Sequence, residues 1–145
     1  MRDPRLDAVS TPVDQRWPGE RLGLPESGPR SIARPARRIA ALAIDWALAS
    51  VISLVFFSTG PWQTNGFVTL GLFAGIQLLF LLLLNGGVGH LLLGMRVVPL
   101  DPGRLAPWRA LVRTLLVCLF VPAVIWDADQ RGLHDRAAGT LLVRV

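Results

Sequence analysis

The sequence predicts an all-α membrane protein with about three transmembrane or re-entrant helices, a small loop region at the cytoplasmic face and a disordered N-terminal arm. Hydrophobic residues make up 52% of its 145 residues, and they stand in long blocks instead of the amphipathic rhythm of a soluble helix. The blocks cover about 39–57, 67–84 and 110–126. Because a helix rises about 1.5 Å per residue, the first two blocks are long enough to cross the ~30 Å hydrocarbon core of a bilayer.

Residues 1–33 differ in composition from the rest of the chain and are predicted to form a disordered, Pro- and Arg-rich arm. Prolines are scattered there among charges and glycines, and no apolar periodicity indicates a helix or a strand. Residues 34–145 are predicted to form the membrane domain, which contains all three apolar blocks.

The placement of arginine predicts the orientation of the chain. Arg34, Arg37 and Arg38 precede the first block, and the loop that follows this block has no charge. Arginines return in the loop after the second block, at Arg96 and Arg109. Since positively charged loops stay in the cytoplasm, we expect a multi-pass protein of the inner (plasma) membrane with its N-terminus in the cytoplasm.

The third block has two interpretations. A single crossing would place the C-terminus outside, whereas a break at Pro122 would make a re-entrant hairpin that returns the tail to the cytoplasm. The segments Met95–Leu100 and Thr140–Val145 are strand-like, and pairing between them would require the hairpin. Charge in the tail is balanced and does not decide the question, and the single crossing is slightly favoured.

Each apolar block contains a polar side chain, and the three lie at a similar depth. Asp45, Gln77 and Arg113 stand about 6–10 Å in from the cytoplasmic ends of their blocks, judged from the helical rise. An isolated charge at that depth is unfavourable, and pairing is the usual remedy. We therefore expect Asp45 and Arg113 to face each other with Gln77 nearby. Arg38, two turns before Asp45 on the same helix face, is the competing partner.

This intramembrane cluster has two functional interpretations. In the structural one, the ion pair fixes the packing of three helices. In the other, Asp45 carries an ion or a proton through the membrane. A tight arginine partner would hold the carboxylate in its charged form, which weighs against the carrier unless the pair opens during a cycle.

Several blocks of the sequence resemble the RDD family of small bacterial membrane proteins. They are the stretch from Arg38 to Asp45, Gly94-Met-Arg-Val-Val98, Trp108-Arg-Ala-Leu-Val-Arg113 and Gly132-Leu-His-Asp-Arg-Ala-Ala-Gly-Thr140. The family is named for one arginine and two aspartates. The resemblance places these on Arg38, Asp45 and Asp135.

What the resemblance implies about function is limited. A transport role for unknown ligands has been supposed for the family, and some members are linked to cation/proton exchange. The blocks add a set of candidate residues at the cytoplasmic face: Arg96, Arg109, His134, Asp135 and Arg136. We expect Asp135 to be held there by arginines such as Arg96 or Arg109. One departure is Gly89-His90, where family members often carry Gly-Lys or Gly-Arg.

No catalytic set, metal site or cofactor motif is predicted, because the two histidines and the single cysteine form no cluster with suitable spacing. The arginines flank apolar blocks, so the expected partner is the lipid bilayer and not nucleic acid. We expect a non-enzymatic RDD-type membrane protein with a transport or transport-accessory role. The alternative is a non-catalytic scaffold or assembly factor for a larger membrane complex. Because the chain is short for a pathway of its own, a homo-oligomer or a membrane-protein partner is expected in either case.

Overall fold

The computed structural model describes residues 16–119 and 133–145. This part of the chain is mostly helical and contains a short 3-10 turn, five α-helices and two strands. In chain order they are the 3-10 turn Glu20–Leu22, α1 Pro35–Phe57, α2 Gly66–Leu84, α3 Val88–Leu92, β1 Met95–Pro99, α4 Pro107–Cys118, α5 Leu133–Ala138 and β2 Thr140–Arg144.

Helices α1 and α2 are long and apolar enough to cross a membrane. Helix α1 starts with Pro35 in its first turn, where a proline ring favours helical geometry and no hydrogen bond is lost. Helix α2 is capped by Asn65, whose side chain accepts a hydrogen bond from the Phe67 N–H. It ends at Asn85, which adopts the left-handed conformation that asparagine tolerates. The first two predicted blocks thus correspond to observed helices, and α1 begins four residues before position 39.

The two long helices pack side by side in opposite directions. Near the α1–α2 loop, the Thr69 hydroxyl donates to the Ser53 hydroxyl at 2.9 Å. Further along, the rings of Trp46 and Phe73 lie 5.3 Å apart. These contacts bring the start of α1 and the end of α2 to the same end of the pair.

Strands β1 and β2 pair antiparallel, with Met95 opposite Arg144 and Pro99 opposite Thr140. This pairing corrects two expectations. The domain is not purely α-helical, because alternating buried and exposed residues in β1 form a small sheet. A single crossing by 110–126 is also wrong, since it would place two hydrogen-bonded strands on opposite sides of a membrane.

The arm is not disordered over its second half. The Arg30 N–H donates to the Arg144 carbonyl, and the Ala33 N–H donates to the Leu142 carbonyl, so residues 30–33 cover the outer edge of β2. Ile32 is buried in this segment. Apolar burial and main-chain hydrogen bonds therefore order residues 16–33, where composition alone predicted disorder. Residues 1–15 of the predicted arm lie outside the described residues.

A small apolar cluster explains how the arm is held. Ile32 packs with Leu141 and Val143 of β2, and Leu24 lies against the same group. The Trp17 indole N–H donates to the Leu24 carbonyl at 2.9 Å. This hydrogen bond links the two ends of the segment that contains the 3-10 turn Glu20–Leu22.

Helix α4 accounts for the first part of the third predicted block. It begins at Pro107, three residues before position 110, and ends at Cys118. Its 12 residues span about 18 Å, which is too short to cross a bilayer. Residues 120–126 of the block lie outside the described residues. The helix packs against α2 and α5, and this contact carries Arg113 into the interior.

Candidate functional site

A buried carboxylate in α5 joins two arginines from distant parts of the chain. Arg38 Nη1 donates to Asp135 Oδ2 at 2.9 Å, and Arg113 Nε donates to Asp135 Oδ1 at 2.8 Å. The three side chains are 7%, 0% and 1% exposed, respectively. Arg38 is also anchored by its Nε, which donates to the Ala33 carbonyl at 2.8 Å. We call the group Arg38, Asp135 and Arg113 the lock, because it joins the start of α1, the middle of α4 and α5.

The lock corrects two predicted pairings. Arg113 was expected to pair with Asp45, but its Nε donates to Asp135 instead. Asp135 was expected to be held by Arg96 or Arg109, but it is held by Arg38 and Arg113. The depth of a residue along a helix determines the level of its side chain but not the direction in which the side chain points. Arg113 and Asp45 therefore need not face each other, and Arg113 pairs with the α5 carboxylate instead.

Asp45 lies in the middle of α1 and is bound mainly by the backbone of α3. Its Oδ1 accepts a hydrogen bond from the Gly89 N–H at 2.6 Å, and the side chain is 3% exposed. His90 Nδ1 lies 3.7 Å from the other oxygen, Oδ2. Arg113 is close enough to act on this carboxylate electrostatically, although it does not hydrogen-bond to it.

Two glycines allow α3 to approach Asp45. A Cβ at Gly89 would overlap the carbonyl group of Ala41, so only glycine lets α3 rest directly on the α1 backbone. A Cβ at Gly87 would overlap Gln77 Oε1 and would lie 2.7 Å from Asp45 Oδ2. Since Gly87 has ordinary extended backbone angles, it is needed for space and not for conformation.

Asp45 and Gln77 both lie next to Gly87, and some of their buried polar atoms make no hydrogen bond. Among the described residues, Asp45 Oδ2 has no hydrogen-bond partner, and neither does either polar atom of the Gln77 amide, which is 1% exposed. In the same part of the chain, Arg113 Nη2 and Thr114 Oγ1 are also buried without a hydrogen-bond partner. Such atoms usually find one, because a buried unpaired polar group costs about 1–3 kcal/mol. We call Asp45, Gln77, Gly87, Gly89 and His90 the open cluster.

The open cluster can accept a small polar guest. Asp45 Oδ2 and Gln77 Oε1 are oxygen acceptors, so a proton, a water molecule or a small cation could bind to them, and a water molecule could also accept from the Gln77 Nε2 donor. Within residues 16–119 and 133–145 there is no group of three or more His, Cys, Asp or Glu side chains that would hold a metal ion by itself.

The other predicted residues are dispersed over the end of the molecule that carries the sheet. Arg96 is exposed and its Nη1 lies 3.4 Å from the Leu84 carbonyl. Arg109 pairs with the exposed Asp101 and also donates to the Gly139 carbonyl. Arg136 is exposed. His134 belongs to α5, and its side chain lies outside the described part of the chain.

Sequence reasoning missed the part played by the backbone of α3. The signal was present in the glycine-rich stretch Gly86-Gly87-Val88-Gly89. A glycine pair next to a buried acid can mark a close backbone approach, as Gly87 and Gly89 do here.

Two apolar helices of membrane-spanning length, with arginines and aspartates paired inside the packed protein, are the features of a helical membrane protein with a buried charge network. The RDD family model matches residues 32–139. The chain therefore belongs to the RDD family, and the resemblance seen in the sequence is confirmed. No curated protein and no solved structure matches the chain.

Proposed function

We propose that this RDD family protein has a transport or transport-accessory role, in which Asp45 takes up and releases a proton or a monovalent cation. One observation carries the proposal: Asp45 Oδ2 is buried in the middle of an apolar helix, and no group within residues 16–119 and 133–145 hydrogen-bonds to it. An ionisable group in such a helix is expected to be functional, because its insertion into a bilayer costs about 2.5–3.5 kcal/mol.

The charges around Asp45 support exchange at this position. Among the described residues, the buried charges of Arg38 and Arg113 are balanced by those of Asp135 and Asp45 when His90 is neutral. Neutralising Asp45 with a proton would leave one positive charge in excess, and that charge favours release again. The Gln77 amide beside Asp45 supplies further polar atoms for a guest that has lost its water.

The wider setting forms part of the same proposal. The protein would be multi-pass in the inner (plasma) membrane, with the arginine-rich end and the N-terminus in the cytoplasm. Two long helices do not enclose a pathway, so transport would require a homo-oligomer or a membrane-protein partner. The proposed role involves neither a cofactor nor catalysis.

Flux measurements on reconstituted protein test the proposal. Wild-type protein in vesicles with an internal pH-sensitive dye should move protons when a Na⁺ or K⁺ gradient is imposed, and Asp45→Asn should abolish this flux while still inserting. Asp101→Asn is the matched control, because it removes an exposed carboxylate of the same type. Equal flux from wild type and Asp45→Asn would refute the role of Asp45.

The lock supports a second candidate, a non-catalytic scaffold or assembly factor. Its three side chains join α1, α4 and α5 and leave the Asp135 carboxylate bound on both oxygens, as a purely structural element would. In that case wild-type vesicles would show no ion-coupled flux. Purification in mild detergent would instead recover a membrane complex that Asp135→Asn disperses.

A further inference from the structure

We propose that Arg37 and Arg96 form a binding site for the headgroup of an anionic phospholipid, at the arginine-rich end of the α1–α2 pair. This site is separate from the lock and the open cluster, and it does not depend on transport. The partner is defined by its chemistry as a membrane lipid with a phosphodiester and a net negative charge.

Arg37 contacts the chain at Leu93, three residues before Arg96, so the two arginines belong to the same end of the molecule. Because α1 and α2 are antiparallel, the first turn of α1 lies beside the end of α2. Arg37 stands in that first turn and its Nη1 donates to the Leu93 carbonyl at 3.0 Å. Arg96 extends from β1 to the Leu84 carbonyl, the last residue of α2. This level is where the apolar helices meet the polar end, as headgroups do in a bilayer.

Both side chains are oriented but not neutralised. Each has one nitrogen near a backbone carbonyl, which fixes the direction of the guanidinium and leaves other N–H groups exposed. Within residues 16–119 and 133–145, no carboxylate forms a salt bridge with Arg37 or Arg96. A guanidinium presents donors in a planar fork that suits phosphate oxygens, so two of them favour an anionic headgroup.

An apolar stripe continues from Arg37 along the outer face of α1. Ile44 follows two turns later, and Val51 and Val55 complete the stripe, with Val51 and Val55 more than half exposed. On the neighbouring elements Leu83 is also exposed. A lipid with its phosphate on the arginines would lay its acyl chains on this apolar surface. The arrangement therefore fits a phospholipid better than a soluble phosphate ion.

The test is lipid binding to the full chain, purified in a nonionic detergent and followed by its thermal unfolding. Dioleoyl phosphatidylglycerol should raise the melting temperature in a saturable way, and dioleoyl phosphatidylcholine should not. The double variant Arg37→Gln/Arg96→Gln should weaken phosphatidylglycerol binding by about fivefold for each arginine removed. Arg37→Lys/Arg96→Lys should keep more of the affinity than the glutamine variant, because it keeps both charges.

The matched control is Arg30→Gln/Arg104→Gln, which removes the same charge from two exposed arginines outside the helix ends. It should leave the affinity within about twofold, because neither residue stands in the first turn of α1 or hydrogen-bonds to the end of α2. Three results would overturn the proposal. They are equal stabilisation by the two lipids, an equal loss in the control, and equal protection by inorganic phosphate at the same concentration, which would indicate a soluble anion.

Discussion

Asp135 and Asp45 are both buried aspartates near Arg113, but their surroundings differ. Asp135 is bound by an arginine on each oxygen, Arg113 on Oδ1 and Arg38 on Oδ2. Asp45 is bound on one oxygen by a backbone N–H, and its other oxygen has no hydrogen bond from any residue that the structure describes. The first carboxylate is thus occupied on both oxygens, whereas the second has one acceptor left beside the buried Gln77 amide. The comparison predicts that removing the charge of Asp135 costs more stability than removing the charge of Asp45.

The largest expected loss of stability comes from removing the negative charge of the lock. Asp135→Asn removes the carboxylate charge that both Arg38 and Arg113 contact, and removing one partner of a buried ion pair destabilises a protein by about 3–5 kcal/mol. The free energy of unfolding in detergent, from denaturant titration, measures this. Asp101→Asn, at an exposed pair with Arg109, should change it by less than about 1 kcal/mol. Similar values for the two variants would contradict a structural role for the lock.

The second largest loss of stability should come from disturbing the close contact between α3 and α1 at Gly89. Gly89→Ala places a methyl group against the Ala41 carbonyl, and backbone cannot move aside easily, so we expect a loss of about 1–3 kcal/mol. The Gly89 N–H would also move away from Asp45. Gly71→Ala in α2 is the control, because nothing lies within 4 Å of the added Cβ. That variant should be neutral or more stable by up to about 1 kcal/mol. Denaturant titration of both variants under the same conditions measures the difference in their free energies of unfolding.

A smaller effect on stability is expected for Asp45→Asn. The asparagine carbonyl can still accept the Gly89 N–H, and no arginine loses a hydrogen bond, so the change should be about 1 kcal/mol or less. The contrast with Asp135→Asn, measured by the same unfolding titration, directly tests the comparison of the two carboxylates. A loss of 3 kcal/mol or more, on the scale of a broken buried pair, would mean that Asp45 is a second lock.

The smallest effect is predicted for Gln77→Leu. Both polar atoms of the amide are buried and have no hydrogen-bond partner in the described part of the chain, so replacing them with carbon should be neutral or should stabilise by about 1 kcal/mol. Thermal unfolding in detergent measures this, with Thr69→Val as a control that removes a hydroxyl bonded to Ser53 and should destabilise. Clear destabilisation by Gln77→Leu would show that the amide has a partner in solution.

The sequence predicts the long elements of this fold well, because apolar block length is a direct physical signal. The blocks 39–57 and 67–84 correspond to Pro35–Phe57 and Gly66–Leu84. The strand-like character of the segments that became β1 and β2 was also visible. What composition could not show was their pairing, since register and partner are set by contacts far apart in the chain.

The charged partners were harder to predict than the helices. Asp45, Gln77 and Arg113 were placed at one depth, but depth does not distinguish the carboxylate of Asp45 from that of Asp135, which arrives from the C-terminal part of the chain. The close approach of α3 was equally hidden, because it depends on the space left by Gly87 and Gly89 and not on any side chain. The resemblance to the RDD family, by contrast, identified Arg38, Asp45 and Asp135 but did not indicate which of them are in contact.

The separation of Arg38 from Asp135 also dictates the order of events during biosynthesis. The two residues are 97 positions apart, and a ribosome delivers the arginine long before the aspartate. Arg38 and the whole of α1 are therefore made before the carboxylate that pairs with Arg38 exists. Final closure of the bundle must wait until Asp135 has been translated.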